Sequence, residues 1–205
     1  MTRTMLIIQV IIQLTAVCSY SQNEPIKYWD DLSSSQKTEM LEKCNSTLIK
    51  DFYEGKFRAT DDDKTWNLLN ELVAASDSCF SLSFYLLNQI CYRSDGALSE
   101  MVGEFCVEFL AKFPKEVLAF FPKEREVLPF FLWNREPLWK RYALFVGVEL
   151  YFKSYGTSDL KYDYESLKNI LFSSVKDNKE SEETLKSFWQ AIDEAIKMMN
   201  EPISY

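Results

Sequence analysis

Along most of this chain apolar residues return every three or four positions, and that period is the strongest constraint on its fold. The C-terminal stretch shows it most cleanly: Leu185, Phe188, Trp189, Ile192, Ile196 and Met199 fall on one helical stripe. Leu98, Met101, Val102, Phe105, Phe109 and Phe113 repeat the pattern upstream, as do Met40, Leu41, Cys44, Leu48, Ile49 and Phe52. Strands would need a period of two. Turn-rich β architectures also consume Gly and Pro, and these 205 residues contain five Gly and six Pro. The expected fold is therefore all-α, with about eight helices in stacked antiparallel hairpins, as a helical array or an irregular bundle.

Local signals place the boundaries. "LSSSQKTEMLEKCNSTLIKDFYEGKF" reads as one first helix, opened by a capping box of Ser33 and Gln36 and stopped at Gly55. The acids of "TDDDKT" (60–65) suit a helix N-terminus, whose free amides favour negative charge. They lack the alternating acids, Gly and distant Glu of a calcium loop. "SDGA" separates two helical patterns and predicts a hairpin there. Two echoes, "FPKEVLAFF" from Phe113 and "FPKEREVLPFF" from Phe121, each start on a Pro tolerated in a first turn and read as short corner helices. "YALFVGVELYF" (Tyr142 to Phe152) holds one charge, Glu149, and reads as a central, almost wholly buried helix. Leu160, Tyr164, Leu167 and Leu171 mark another helix, and the last is expected to begin near Ser181.

The N-terminus reads as a secretory leader. Arg3 precedes a thirteen-residue apolar run from Met5 to Val17, and Ser19 and Ser21 stand at the small-x-small positions of a cut before Gln22. The run is short of the roughly 20 residues a spanning helix needs. Thr15 and Val17 stand where a lipoprotein signal wants Leu and a small residue, so Cys18 is expected to leave with the leader rather than carry lipid. Residues 1–21 are then a signal peptide and 22–205 a single all-α domain, exported to a periplasmic or extracellular space and free of the membrane after cleavage.

Export changes how cysteines are read. Cys44, Cys79, Cys91 and Cys106 remain, an even count in an oxidising compartment, and all four are disulfide candidates. Cys79 and Cys91 would lie about 18 Å apart on one helix, too far to bond. Two pairings stay open: Cys44–Cys79 with Cys91–Cys106, or Cys44–Cys91 with Cys79–Cys106. Without a C-x-x-C pair they do not read as a zinc site. Asn45-Ser46-Thr47 matches a glycosylation sequon, but inside a predicted helix it reads as a chance match.

Composition narrows the chemistry further. The chain has no His, which removes Ser-His-Asp and Cys-His nucleophile systems, histidine metal sites and the commonest general base near neutral pH. No cofactor or metal site is called for. A net charge of −8 opposes binding to nucleic acid. Carboxylate chemistry survives, and Glu100, Glu104 and Glu108 follow one another at four-residue spacing, which reads as an exposed stripe.

One segment runs against the acidic background. From Lys112 to Arg141 seven basic residues face four acidic ones, and "LPFFLWNREPLWKRY" (Leu128 to Tyr142) mixes aromatics with Arg and Lys. Aromatic residues beside arginine are typical anchors of binding surfaces. Trp133, Arg135, Trp139, Lys140 and Arg141 are therefore the expected partner-binding residues. The function expected is a non-catalytic binding module engaging a protein partner or small ligand. The alternative is a carboxylate-dependent hydrolase acting on a polymer such as a glycan.

Overall fold

Ser33 opens the first helix as its spacing predicts: its hydroxyl accepts from the Gln36 amide while the Gln36 side chain accepts from the Ser33 amide. The computed structural model describes residues 27–94, 96–121, 137–176 and 178–201. Within them the chain is helical, with no strand. A short 3-10 turn, Trp29–Asp31, leads into α1 (Ser34–Lys43), α2 (Thr47–Tyr53) and α3 (Asp63–Ala74). A second 3-10 turn, Asp77–Cys79, runs straight into α4 (Phe80–Arg93), followed by α5 (Gly96–Lys112) and α6 (Pro114–Phe120). After the undescribed stretch come α7 (Leu138–Ser154), α8 (Tyr164–Val175) and α9 (Lys179–Asn200). No described helix is long and apolar enough to cross a membrane.

Caps explain most of these boundaries. Asp62 accepts from the Thr65 amide at 2.8 Å and starts α3, so the acids of 60–65 do cap a helix. Asp163 and Asn178 do the same for α8 and α9. Pro114 sits in the first turn of α6, where its missing N–H costs nothing. Gly55, at φ +73°, takes the left-handed turn that ends α2.

Two expectations need correction. The predicted first helix is in fact two. Residues 44–46 are not helical, and Ser46 starts α2 by accepting from the Ile49 amide at 2.9 Å. A three-residue break preserves the apolar spacing, so periodicity alone does not reveal it. Asn45 therefore lies exposed in the break between two helices rather than within one. The second correction concerns α7, which is not nearly all buried: one of its sides is open to solvent. The second corner helix, from Phe121, lies outside the described residues apart from its first residue.

The core is one continuous apolar cluster from Tyr28 to Ile192. α4 is its most enclosed helix, with Leu82, Phe84, Leu87, Ile90 and Cys91 all buried. Phe80, Phe84, Phe109 and Phe113 stack between α4 and α5, with ring centroids 4.9–5.9 Å apart. α7 makes its most extensive contact with α9 and its next with α5. Tyr142, fully buried in α7, donates its hydroxyl to the Cys106 carbonyl of α5 at 2.9 Å.

Candidate interaction surface on the central helix

The inner residues of α7 are Tyr142, Ala143, Phe145, Val146, Gly147 and Leu150. On its outer side Leu144, Val148, Tyr151, Phe152 and Tyr155 fall within an arc of about 100°. Three of them stay well exposed, Leu144 at 38%, Phe152 at 37% and Tyr155 at 64%. Tyr151 meets Tyr155 at 4.8 Å and Phe152 at 5.7 Å between ring centroids, forming a short aromatic ladder. Tyr155 donates to Asn200 Oδ1 at 3.4 Å, which sets the ladder beside the end of α9, where Met198 and Met199 are also exposed. Burying such a strip releases bound water from several large apolar side chains at once.

The sequence-selected residues fare differently from one another. Trp133 and Arg135 lie outside the described residues. Trp139 is half-buried and packs on the core, with the Lys140 ammonium 5.8 Å from its ring centroid. Lys140 is exposed, one turn before Leu144, at the head of the outer strip. Arg141 is engaged within the fold: its guanidinium donates to the Tyr92 carbonyl at 3.1 Å and to the Ser94 carbonyl. Those oxygens end α4, where unsatisfied carbonyls and the helix dipole attract a cation. Lys112 plays the same part for α3, donating at 2.7 Å to the carbonyls of Val73 and of Ala75. Nothing in the local sequence marks either role, because the carbonyls come from distant segments.

The cysteines come together as two pairs. Cys91 and Cys106 have sulfurs 3.4 Å apart, and Cys44 and Cys79 lie together in the wall of one groove. All four are buried free thiols. The Cys44 and Cys79 pair borders a groove of about 580 Å³ whose wall includes Lys43, Ser46 and Glu71. A smaller hollow of about 350 Å³ lies among Lys27, Asp77, Lys112 and Glu116.

The acids also depart from the simple stripe. Glu100 is exposed, but Glu104 and Glu108 are half-buried against the rest of the fold. Glu149 reaches from α7 across Gly103 of α5; a Cβ there would fall 2.5 Å from its Cγ. Burial first, then the nearby Glu104 charge, holds the Glu149 carboxyl above the usual range, against the Ser158 hydroxyl bond at 3.2 Å that favours ionisation. Glu104 is raised by burial, then by Glu108 and Asp159. Neither Glu104 nor Glu149 lines the two hollows.

No protein-family model, curated protein or solved structure matches the chain. Any functional reading rests on the side chains themselves.

Proposed function

We propose that the chain is an exported, non-catalytic binding module that docks a protein partner on the outer side of α7. The observation that carries this reading is the line of exposed Leu144, Phe152 and Tyr155 with half-buried Tyr151, beside the end of α9 where Met198 and Met199 are exposed. Isolated exposed apolar residues are ordinary, but a contiguous patch of large ones marks interaction surfaces. Tyr supplies contact area at low entropic cost, and Met adapts to varied partners. Lys140 adds a positive rim at one end of the patch. This moves the proposed surface from the Trp133–Arg141 segment toward the C-terminal half of α7.

The test is crosslinking in the compartment where the chain resides, followed by capture of wild type, of a Leu144→Glu, Phe152→Glu, Tyr155→Ala variant, and of a control altered at exposed Lys186. A partner held by wild type and control but lost from a folded triple variant supports the patch. Equal capture by all three removes it.

The hydrolase alternative has one observation in its favour. Glu104 and Glu149 stand on neighbouring helices with carboxyls held above their usual range, as a general acid requires. Its test is release of reducing ends from polymeric glycans, lost in Glu149→Gln while the fold is kept.

A further inference from the structure

α4 has a cysteine at each end. Cys79 precedes its first turn and Cys91 stands in its last. The helical rise holds them about 18 Å apart, so they cannot bond to each other. Each instead meets a cysteine from another element. Cys44, where α1 ends, shares the wall of one groove with Cys79. Cys106, midway along α5, places its sulfur 3.4 Å from that of Cys91. Closing this gap to a disulfide bond of about 2.05 Å brings the two sulfurs together by about 1.4 Å. Of the pairings that the sequence leaves open, the fold brings one together.

We infer that α4 is stapled at both ends by disulfides, Cys44–Cys79 to α1 and Cys91–Cys106 to α5, made by exchange with a disulfide oxidant. In each case one cysteine thiolate attacks the oxidant S–S bond, releasing one oxidant thiol and leaving a mixed disulfide. The second cysteine thiolate then displaces the other oxidant thiol. The protein loses two protons and two electrons, and the oxidant disulfide becomes two thiols.

The two staples differ in access. Cys91 and Cys106 are fully enclosed, with Tyr142 bonded to the Cys106 carbonyl. Burial, then the bond to Cys91, pushes the Cys106 thiol well up, so it is a poor nucleophile once folded. That bond forms while the chain folds, before α7 closes over it. Cys44 and Cys79 stand in the wall of the 580 Å³ groove, where a small thiol can approach the finished bond. Reduction therefore reaches Cys44–Cys79 first.

The experiment uses the full chain with Cys18→Ser, so that no fifth thiol takes part. The reduced, unfolded protein is refolded in mixed reduced and oxidised glutathione, alkylated with iodoacetamide, digested without reduction and mapped by mass spectrometry. The expected result is one peptide joining Cys44 to Cys79 and another joining Cys91 to Cys106. Links of Cys44 to Cys91 and Cys79 to Cys106, or four alkylated thiols, overturn the inference. The folded, oxidised protein is then titrated with a phosphine reductant and labelled with a maleimide. Cys44 and Cys79 label first, and Cys91 and Cys106 label only after denaturant is added. The reverse order overturns the assigned access. Mapping of the otherwise native chain decides the pairing even where a Cys44→Ser, Cys79→Ser variant does not fold.

Discussion

Gly147 of α7 faces Ala195 of α9 with no space for a methyl group between them. A Cβ at Gly147 would lie 2.7 Å from the Ala195 Cβ and 3.0 Å from the Ile192 carbonyl oxygen. In an open helix, Gly→Ala gains roughly 0.5–1 kcal/mol from backbone entropy. Here the contact reverses the sign, because overpacking a tight seam costs about 1–3 kcal/mol. Gly147→Ala is expected to lower the urea midpoint, as is Gly103→Ala, whose Cβ would meet the Glu149 Cγ at 2.5 Å. A neutral or stabilising Gly147→Ala is incompatible with this close seam.

Arg141 and Lys140 are adjacent basic residues with different expected effects. Removing the Arg141 guanidinium strands the carbonyls of Tyr92 and Ser94, one half-buried and the other buried. Arg141→Ala should cost about 1–3 kcal/mol of unfolding free energy. Arg141→Lys should recover only part, since an ammonium lacks the two-pronged donor geometry. Lys140→Ala should stay within about 0.5 kcal/mol. Chemical denaturation of the three variants checks this, and equal effects at both positions contradict the assignment.

A polar chain links α8 and α9: Trp189 Nε1 donates to the Tyr164 hydroxyl at 2.8 Å, and that hydroxyl donates to Asp193 Oδ1 at 2.7 Å. Tyr164→Phe removes both bonds and leaves the indole N–H unpaired there. A loss of about 1–2 kcal/mol is expected. Tryptophan emission during unfolding reports it, and the double variant Tyr164→Phe, Trp189→Phe should lose less than the two single changes summed.

Stability should also depend on pH through the carboxyls of Glu104 and Glu149. Their folded values are raised, so the protonated forms favour the fold. That contribution is full below the ordinary glutamate value of about 4.3 and fades as pH rises through the raised values. The melting temperature should therefore rise on going from pH 7.5 to pH 5. Asp62 and Asp163, lowered first by their backbone capping bonds, act oppositely and withdraw support only below the ordinary aspartate range. Glu149→Gln should raise the melting temperature at pH 7.5, change it little near pH 4.5, and flatten the profile between them. An unchanged profile in Glu149→Gln assigns the pH effect elsewhere.

Helix content, caps and most helix ends are legible in the sequence because they depend on neighbours a few residues away. Ser33 with Gln36, Asp62 with Thr65, and Pro114 are all local signals. The break at Cys44–Ser46 is not legible, since Cys44 and Leu48 keep helical spacing across it. The exposed side of α7 is hidden for a different reason. Leu144 and Val146 are equally apolar in the sequence, and only the placement of α5 and α9 leaves the first open and covers the second. Arg141 stands out in the sequence as a basic residue among aromatics, but its carbonyl partners lie 47 and 49 residues away, beyond any local pattern.

Gly147 and Glu149 project from α7 about 200° apart, by helical geometry. One is seated against α9 and the other against Gly103 of α5. A helix notched on two flanks can neither roll about its axis nor slip along its neighbours without breaking one seam. Its outer aromatic ladder is therefore carried on a helix held on two sides. On the docking proposed above, little conformational entropy would remain to be lost, and the encounter would proceed as a rigid-body fit. If that docking holds, variants on the ridge should alter dissociation far more than association.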